Sequence, residues 1–190
     1  MRLSTLVLGA VIAIAGLFMV QGKAIDTRRS TITIHVGKAG LFSAMAHDHT
    51  VSAPISSGTI VDSEPRRVEF RIETAKMTVK PDPKVDAKDQ ATIQKHMEEL
   101  TLETKKFPEI TFRSTRIQKL PDGQWKVDGD LSLHGVTRQV SLTVKQTGDS
   151  YTTHSVLKQT DFGITPISVA GGMIKVKNEV DIDFQIFTRP

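Results

Sequence analysis

From Thr31 to Ile186 the chain alternates apolar and polar residues in one short segment after another. A period of two is the pattern of extended strands that bury one face. "TITIHV" sends Ile32, Ile34 and Val36 to one side, "RVEFRI" sends Val68, Phe70 and Ile72, and "ITF" sends Ile110 and Phe112. In "WKVDGDLSL" the apolar side holds Trp125, Val127, Leu131 and Leu133, opposite Lys126, Asp128, Asp130 and Ser132. "VSLTV" and "VDIDFQI" continue the pattern with Val140, Leu142 and Val144, then Val180, Ile182, Phe184 and Ile186. Turn chemistry separates the segments: "PDGQ" at Pro121 to Gln124, "TGDS" at Thr147 to Ser150, and a tighter "HGV" around Gly135.

One segment departs from this period. In "KVDAKDQATIQKHMEELTLETKKFP" Ile93, Met97 and Leu100 recur every three to four residues, which predicts a helix begun by Asp86 or Asp89 and ended before Phe107-Pro108. Pro81 and Pro83 make the preceding "VKPDPKV" an extended connection. About eight antiparallel strands, each with one polar face, have two solutions: a two-sheet sandwich or a sheet closed into a barrel. The inward set includes Phe42, Phe70, Phe112, Phe162 and Phe184, bulky groups suited equally to filling a core and lining a lumen.

Residues 1 to 24 read as a signal peptide: Arg2 followed by an apolar run, with small residues allowing cleavage after Gly22 or Ala24. The run also has the length of a membrane span, so an uncleaved inner-membrane anchor is the alternative to a freely periplasmic protein. Residues 25 to 190 then form one domain. They carry 23 basic and 21 acidic side chains, a balance that supports no more than weak, transient attraction to an anionic membrane. With one Trp and one Tyr, the domain has no stacking platform for single-stranded nucleic acid. The absence of cysteine excludes disulfides, zinc ribbons and thiolate catalysis.

"AHDHT" concentrates His47 and His49 beside Val51 on one strand face, with Asp48 on the other. Three readings stand: half of a metal site, a hydrogen-bonding pair for a ligand head group, or a structural pair. A catalytic zinc site needs a third protein ligand, and none is evident. Asp48 points away from both rings, so it cannot orient them, and Ser43 and Ser52 belong to no nucleophile elbow. Glu98 with Glu99 and Asp181 with Asp183 read as solvated faces. Gly163 and Gly171-Gly172, flanking Pro166, predict a bend or bulge of the kind that closes a barrel. The "DFG" at Asp161 to Gly163 has none of the partners of a kinase motif.

"KAGLFSAMAHDHTV", "FPEITFRST", "GDLSLHGVTRQVSL" and "QTDFGI", in this order from about Thr31 to Phe187, resemble the YceI-like family of exported lipid-binding proteins. The resemblance implies an all-β, extended eight-stranded antiparallel lipocalin-like barrel, here with one inserted helical segment. Its lumen would hold a polyisoprenoid or another long-chain amphiphile such as a prenyl phosphate, quinone or fatty acyl chain. It implies neither catalytic residues nor cofactor nor metal, and a monomer or homodimer whose partner is the lipid. Carried over by position, the expected lumen contacts are Phe42, Met45, His47, His49, Ile110, Phe112, Phe162 and Ile164. Strand alternation adds Phe70 and Trp125, and the helix adds Met97 as an adaptable lining. The longer helix and the H-x-H pair depart from many family members. A metal-binding protein or metalloenzyme using His47 and His49 is the rival reading.

Overall fold

The structure is a computed structural model that describes residues 22–40 and 48–189. The expected lumen residues Phe42, Met45 and His47 lie outside the described residues, as does the chain before residue 22. Eight strands of seven or more residues carry the architecture: β2 (Thr31–Ala39), β4 (Ile55–Val61), β5 (Arg67–Glu73), β7 (Glu109–Lys119), β8 (Trp125–Leu133), β9 (Val136–Thr147), β10 (Ser150–Lys158) and β12 (Ile174–Phe187). Four short strands add to these: β1 (Lys23–Ala24), β3 (His49–Ser52), β6 (Thr78–Val79) and β11 (Ser168–Val169). Among the described residues the sheet therefore has twelve strands, not eight. Segments of two to four residues span too little chain for a period of two to register.

All pairings are antiparallel, in the order β1-β4-β5-β7-β8-β9-β10-β12-β2-β3-β6, with β11 on β12. Two devices curl this order into a barrel. First, the chain runs from β3 through Ala53-Pro54 straight into β4, yet β3 pairs with β2 and β4 pairs with β5, so one bent segment joins opposite ends of the order. Ala53 is buried at this corner, and its N–H donates to the Ile32 carbonyl at 2.9 Å. Second, β1 is tied to the end of β12 by Asp26 N–H to Phe187 O (2.8 Å) and Arg189 N–H to Ala24 O (2.8 Å).

The helix α1 (Ala87–His96) is capped by Asp86, whose carboxylate accepts the Asp89 N–H at 2.8 Å. The expected apolar stripe changes phase past Met97. There a wider π turn (Met97–Thr101) sets the Leu102 N–H on the Met97 carbonyl at 2.9 Å. Met97 and Leu102, five residues apart, are the buried pair, while Leu100 is 61% exposed, contrary to the three-to-four spacing.

The tight turn at "HGV" joins β8 to β9 with His134 and Gly135 both at positive φ (52° and 75°), the two-residue hairpin that matches strand twist. A Cβ on Gly135 would stand 2.6 Å from the Phe107 ring. His134 packs against that ring at a tilt of 53° with centroids 4.2 Å apart, and its Nε2 lies 2.8 Å from the Glu103 carboxylate. Gly135→Ala is expected to cost about 1–2 kcal/mol from the left-handed backbone alone, with displacement of Phe107 in addition. The denaturation midpoint reads this, and an unchanged midpoint would contradict the packing of Phe107 on the turn.

Candidate functional site

The inward faces enclose a cavity of about 840 Å³. Its walls are Ile32, Ile34 and Val36 of β2, Phe70 and Ile72 of β5, Ile110 and Phe112 of β7, Leu131 and Leu133 of β8, and Val180, Ile182 and Phe184 of β12. Met97 and Leu102 from the helical segment contribute to the same wall, with Phe162 and Ile164 from the turn after β10. Such a volume falls within the range of ligand pockets, and the lining is predominantly apolar.

A second space of about 90 Å³ lies beyond it, lined by Trp125, Val127, Val144, Tyr151 and Ile186 among others. Phe70, Phe112, Leu142 and Phe184 border both spaces and so form the partition between them. The Phe70 and Phe112 rings stack at 5.4 Å with 25° between planes. The neighbouring strand makes room for this. Gly129 holds an inward position of β8, and a Cβ there would come within 2.5 Å of the Phe112 ring and 2.7 Å of the Arg113 carbonyl oxygen. Gly129 thus lets the Phe112 ring lie over the adjacent strand.

The cavity opens sideways. The hairpin pairing of β9 with β10 stops after three residue pairs, Thr147–Ser150, Gln146–Tyr151 and Lys145–Thr152. On their other sides the same strands stay fully laddered, with nine pairs from β8 to β9 and nine from β10 to β12. Continuing the hairpin register would set Leu142, Ser141, Val140, Gln139 and Arg138 opposite Ser155, Val156, Leu157, Lys158 and Gln159. These pairs are not made, and all ten residues line the cavity. Consecutive residues alternate in direction, so a wall containing five in a row on each side includes the strand edges themselves. The two strands splay into a wedge, and the cavity reaches the surface through it.

Of the expected lumen residues, Phe70, Met97, Ile110, Phe112, Phe162 and Ile164 line the large cavity, and Trp125 lines the small one. His49, paired with Val36 at the start of β3, is half-buried and is not among the residues lining either space. Two other histidines take surface roles. His35 Nε2 and His154 Nδ1 lie 3.1 Å and 3.0 Å from the Asp183 carboxylate on the outer face. The hydrogen bond from His154 holds the Asp183 carboxyl below the ordinary carboxylate range; desolvation opposes it, and the bond from His35 adds to it. Among the described residues no group of three or more His, Asp or Glu side chains is arranged to hold a metal ion.

Arg138 is a cavity-lining residue that the apolar alternation of its strand does not single out. In "GVTRQV" it falls in phase with Val136 and Val140, and it pairs with Leu131, so it lies on the inward face of β9. A base at an apolar position of an alternating strand was the available signal.

A YceI-like domain model matches residues 24–187. The chain belongs to the YceI-like family. Among its curated relatives are UPF0312 proteins of Yersinia pestis and Yersinia pseudotuberculosis, 38% identical over 74 residues. That match spans 34% of this chain and 38% of each relative's length. A polyisoprenoid binding domain from Saccharophagus degradans shares the fold with a TM-score of 0.60 at 14% identity, covering 87% of this chain and 97% of that one. BcnA of Burkholderia cenocepacia does so with 0.56 at 17% identity, covering 85% and 98%. The barrel expected from the resemblance is the fold observed.

Proposed function

We propose that this protein binds one long-chain amphiphile, a polyisoprenoid, quinone or fatty acyl compound, with its tail in the large cavity. It acts as a periplasmic carrier or store, exported by the segment before residue 25, and does no chemistry on its guest. The observation that carries this reading is the apolar lumen of about 840 Å³ with a lateral opening. Each buried CH₂ contributes roughly 0.8 kcal/mol before ordering costs, so a tail of ten such groups binds without elaborate polar recognition. The Saccharophagus degradans domain, described as polyisoprenoid-binding, lends support from the family.

Native mass spectrometry of protein purified from its own host tests the proposal. The expected result is one lipid mass per chain that is lost on organic extraction. Protein that carries no lipid and takes up none from a mixed extract would defeat it. Fractionation of the same cells should find the protein in the periplasm, and retention in the cytoplasm would exclude an exported carrier.

A further inference from the structure

A charged or strongly polar head group cannot follow the tail into an apolar lumen without losing its hydration, so it must remain where the lumen meets water. In this molecule that place is the wedge between β9 and β10. Three charged residues lie in the wall there, Arg138, Lys158 and Asp161. Lys158 belongs to the outward set of β10 and lies 3.9 Å from Glu179, which offsets its charge. Arg138 is on the inward face. Its Nε donates to the Asp161 backbone carbonyl at 3.1 Å, which fixes the side chain at the wide end of the wedge. A guanidinium has five N–H donors, and this bond uses one. Among the described residues Arg138 makes no ion pair with a carboxylate.

We propose that Arg138 is the head-group anchor, binding the phosphate or carboxylate of an anionic amphiphile whose tail occupies the large cavity; this rests on the lipid-binding reading above. The planar fork of a guanidinium matches two oxygens of either anion, and its charge needs no proton from solution. The Asp161 carboxylate opposes an anion at this point. The anchor bond to its carbonyl, however, draws on the backbone and leaves the guanidinium charge uncompensated by Arg138's own contacts. The site therefore favours an anionic guest over an alcohol with the same tail.

The test uses the delipidated mature protein, with oleate and oleyl alcohol displacing a fluorescent lipid probe. The wild type should prefer oleate. Arg138→Gln should weaken oleate about tenfold, as expected for loss of a hydrogen bond to a charged group, and leave oleyl alcohol unchanged. Arg138→Lys should keep part of the preference. An unchanged oleate-to-alcohol ratio in Arg138→Gln, or equal weakening of both ligands, would overturn the anchor while leaving the lumen in place. Inorganic phosphate alone should not displace the probe; if it does so through Arg138, the residue serves a free-anion site and the proposal falls. Failure of both oleate and oleyl alcohol to bind the wild type would instead refute the lipid-binding reading itself. Unfolding curves of the variants should overlay the wild type, because the side chain is exposed.

Discussion

Phe112→Asp is expected to abolish lipid retention and to lower stability by about 4 kcal/mol or more, from the loss of a buried aromatic ring and the burial of an unpaired carboxylate. Phe112 is 2% exposed, stacks on Phe70 and stands in the partition between the two spaces, so a charge there meets apolar groups on both sides. For a domain of this size such a loss lowers the melting temperature by on the order of 10 °C, which circular dichroism detects. Phe112→Leu keeps the site apolar and should fold while retaining lipid, separating the effect of charge from that of misfolding. Lys126→Asp provides the opposite control: Lys126 is exposed on the outer face of the neighbouring strand, 3.7 Å from Asp128, and a surface pair of this kind contributes under about 1 kcal/mol. Equal retention in Phe112→Asp and Lys126→Asp would mean that the strand faces are reversed.

Bridging the wedge is expected to stop lipid exchange without disturbing the fold. Ser141 and Val156 would be opposite one another if the hairpin register continued, and both are exposed on the outside of the barrel, Val156 at 55%. The chain has no cysteine, so Ser141→Cys with Val156→Cys supplies two unique thiols for a short bismaleimide. Between the other neighbouring long strands from β4 round to β2 an exit would have to break a strand ladder, in which each hydrogen bond contributes about 1 kcal/mol net. Uptake of a fluorescent fatty acid should therefore cease in the bridged protein, proceed in the unbridged double variant, and proceed in protein capped with a monofunctional maleimide. Undiminished uptake after bridging would place the entrance elsewhere.

Most of the barrel was legible because a one-sided strand imprints its period on every residue it contains. Ile32, Phe70, Ile110, Phe112 and Ile186 are all inward and buried as their phase requires. The three turns were equally legible, since Gly123, Gly135 and Gly148 each adopt a positive φ. Three things were not. Strands of two to four residues carry no period. The π turn displaces burial from Leu100 to Leu102, and an extra residue in a helical turn leaves no mark in the spacing that precedes it. The splayed wedge depends on which strands fail to pair, and β9 has the same alternation whether or not β10 lies against it. His49 shows the converse limit: its phase placed it with Val51, but phase alone does not say how far along the barrel the lumen extends.

The wedge also leaves β9 between Gln139 and Val144 and β10 between Thr153 and Lys158 without a strand partner on the edges that face each other, although their other edges are laddered. Rows of unpaired amide and carbonyl groups are templates for another extended chain. The proposed entrance is therefore also a point of colloidal weakness, a pair of open edges against which a second copy of the molecule would be expected to pair. An occupant lying across that slot would act as a stopper against clumping.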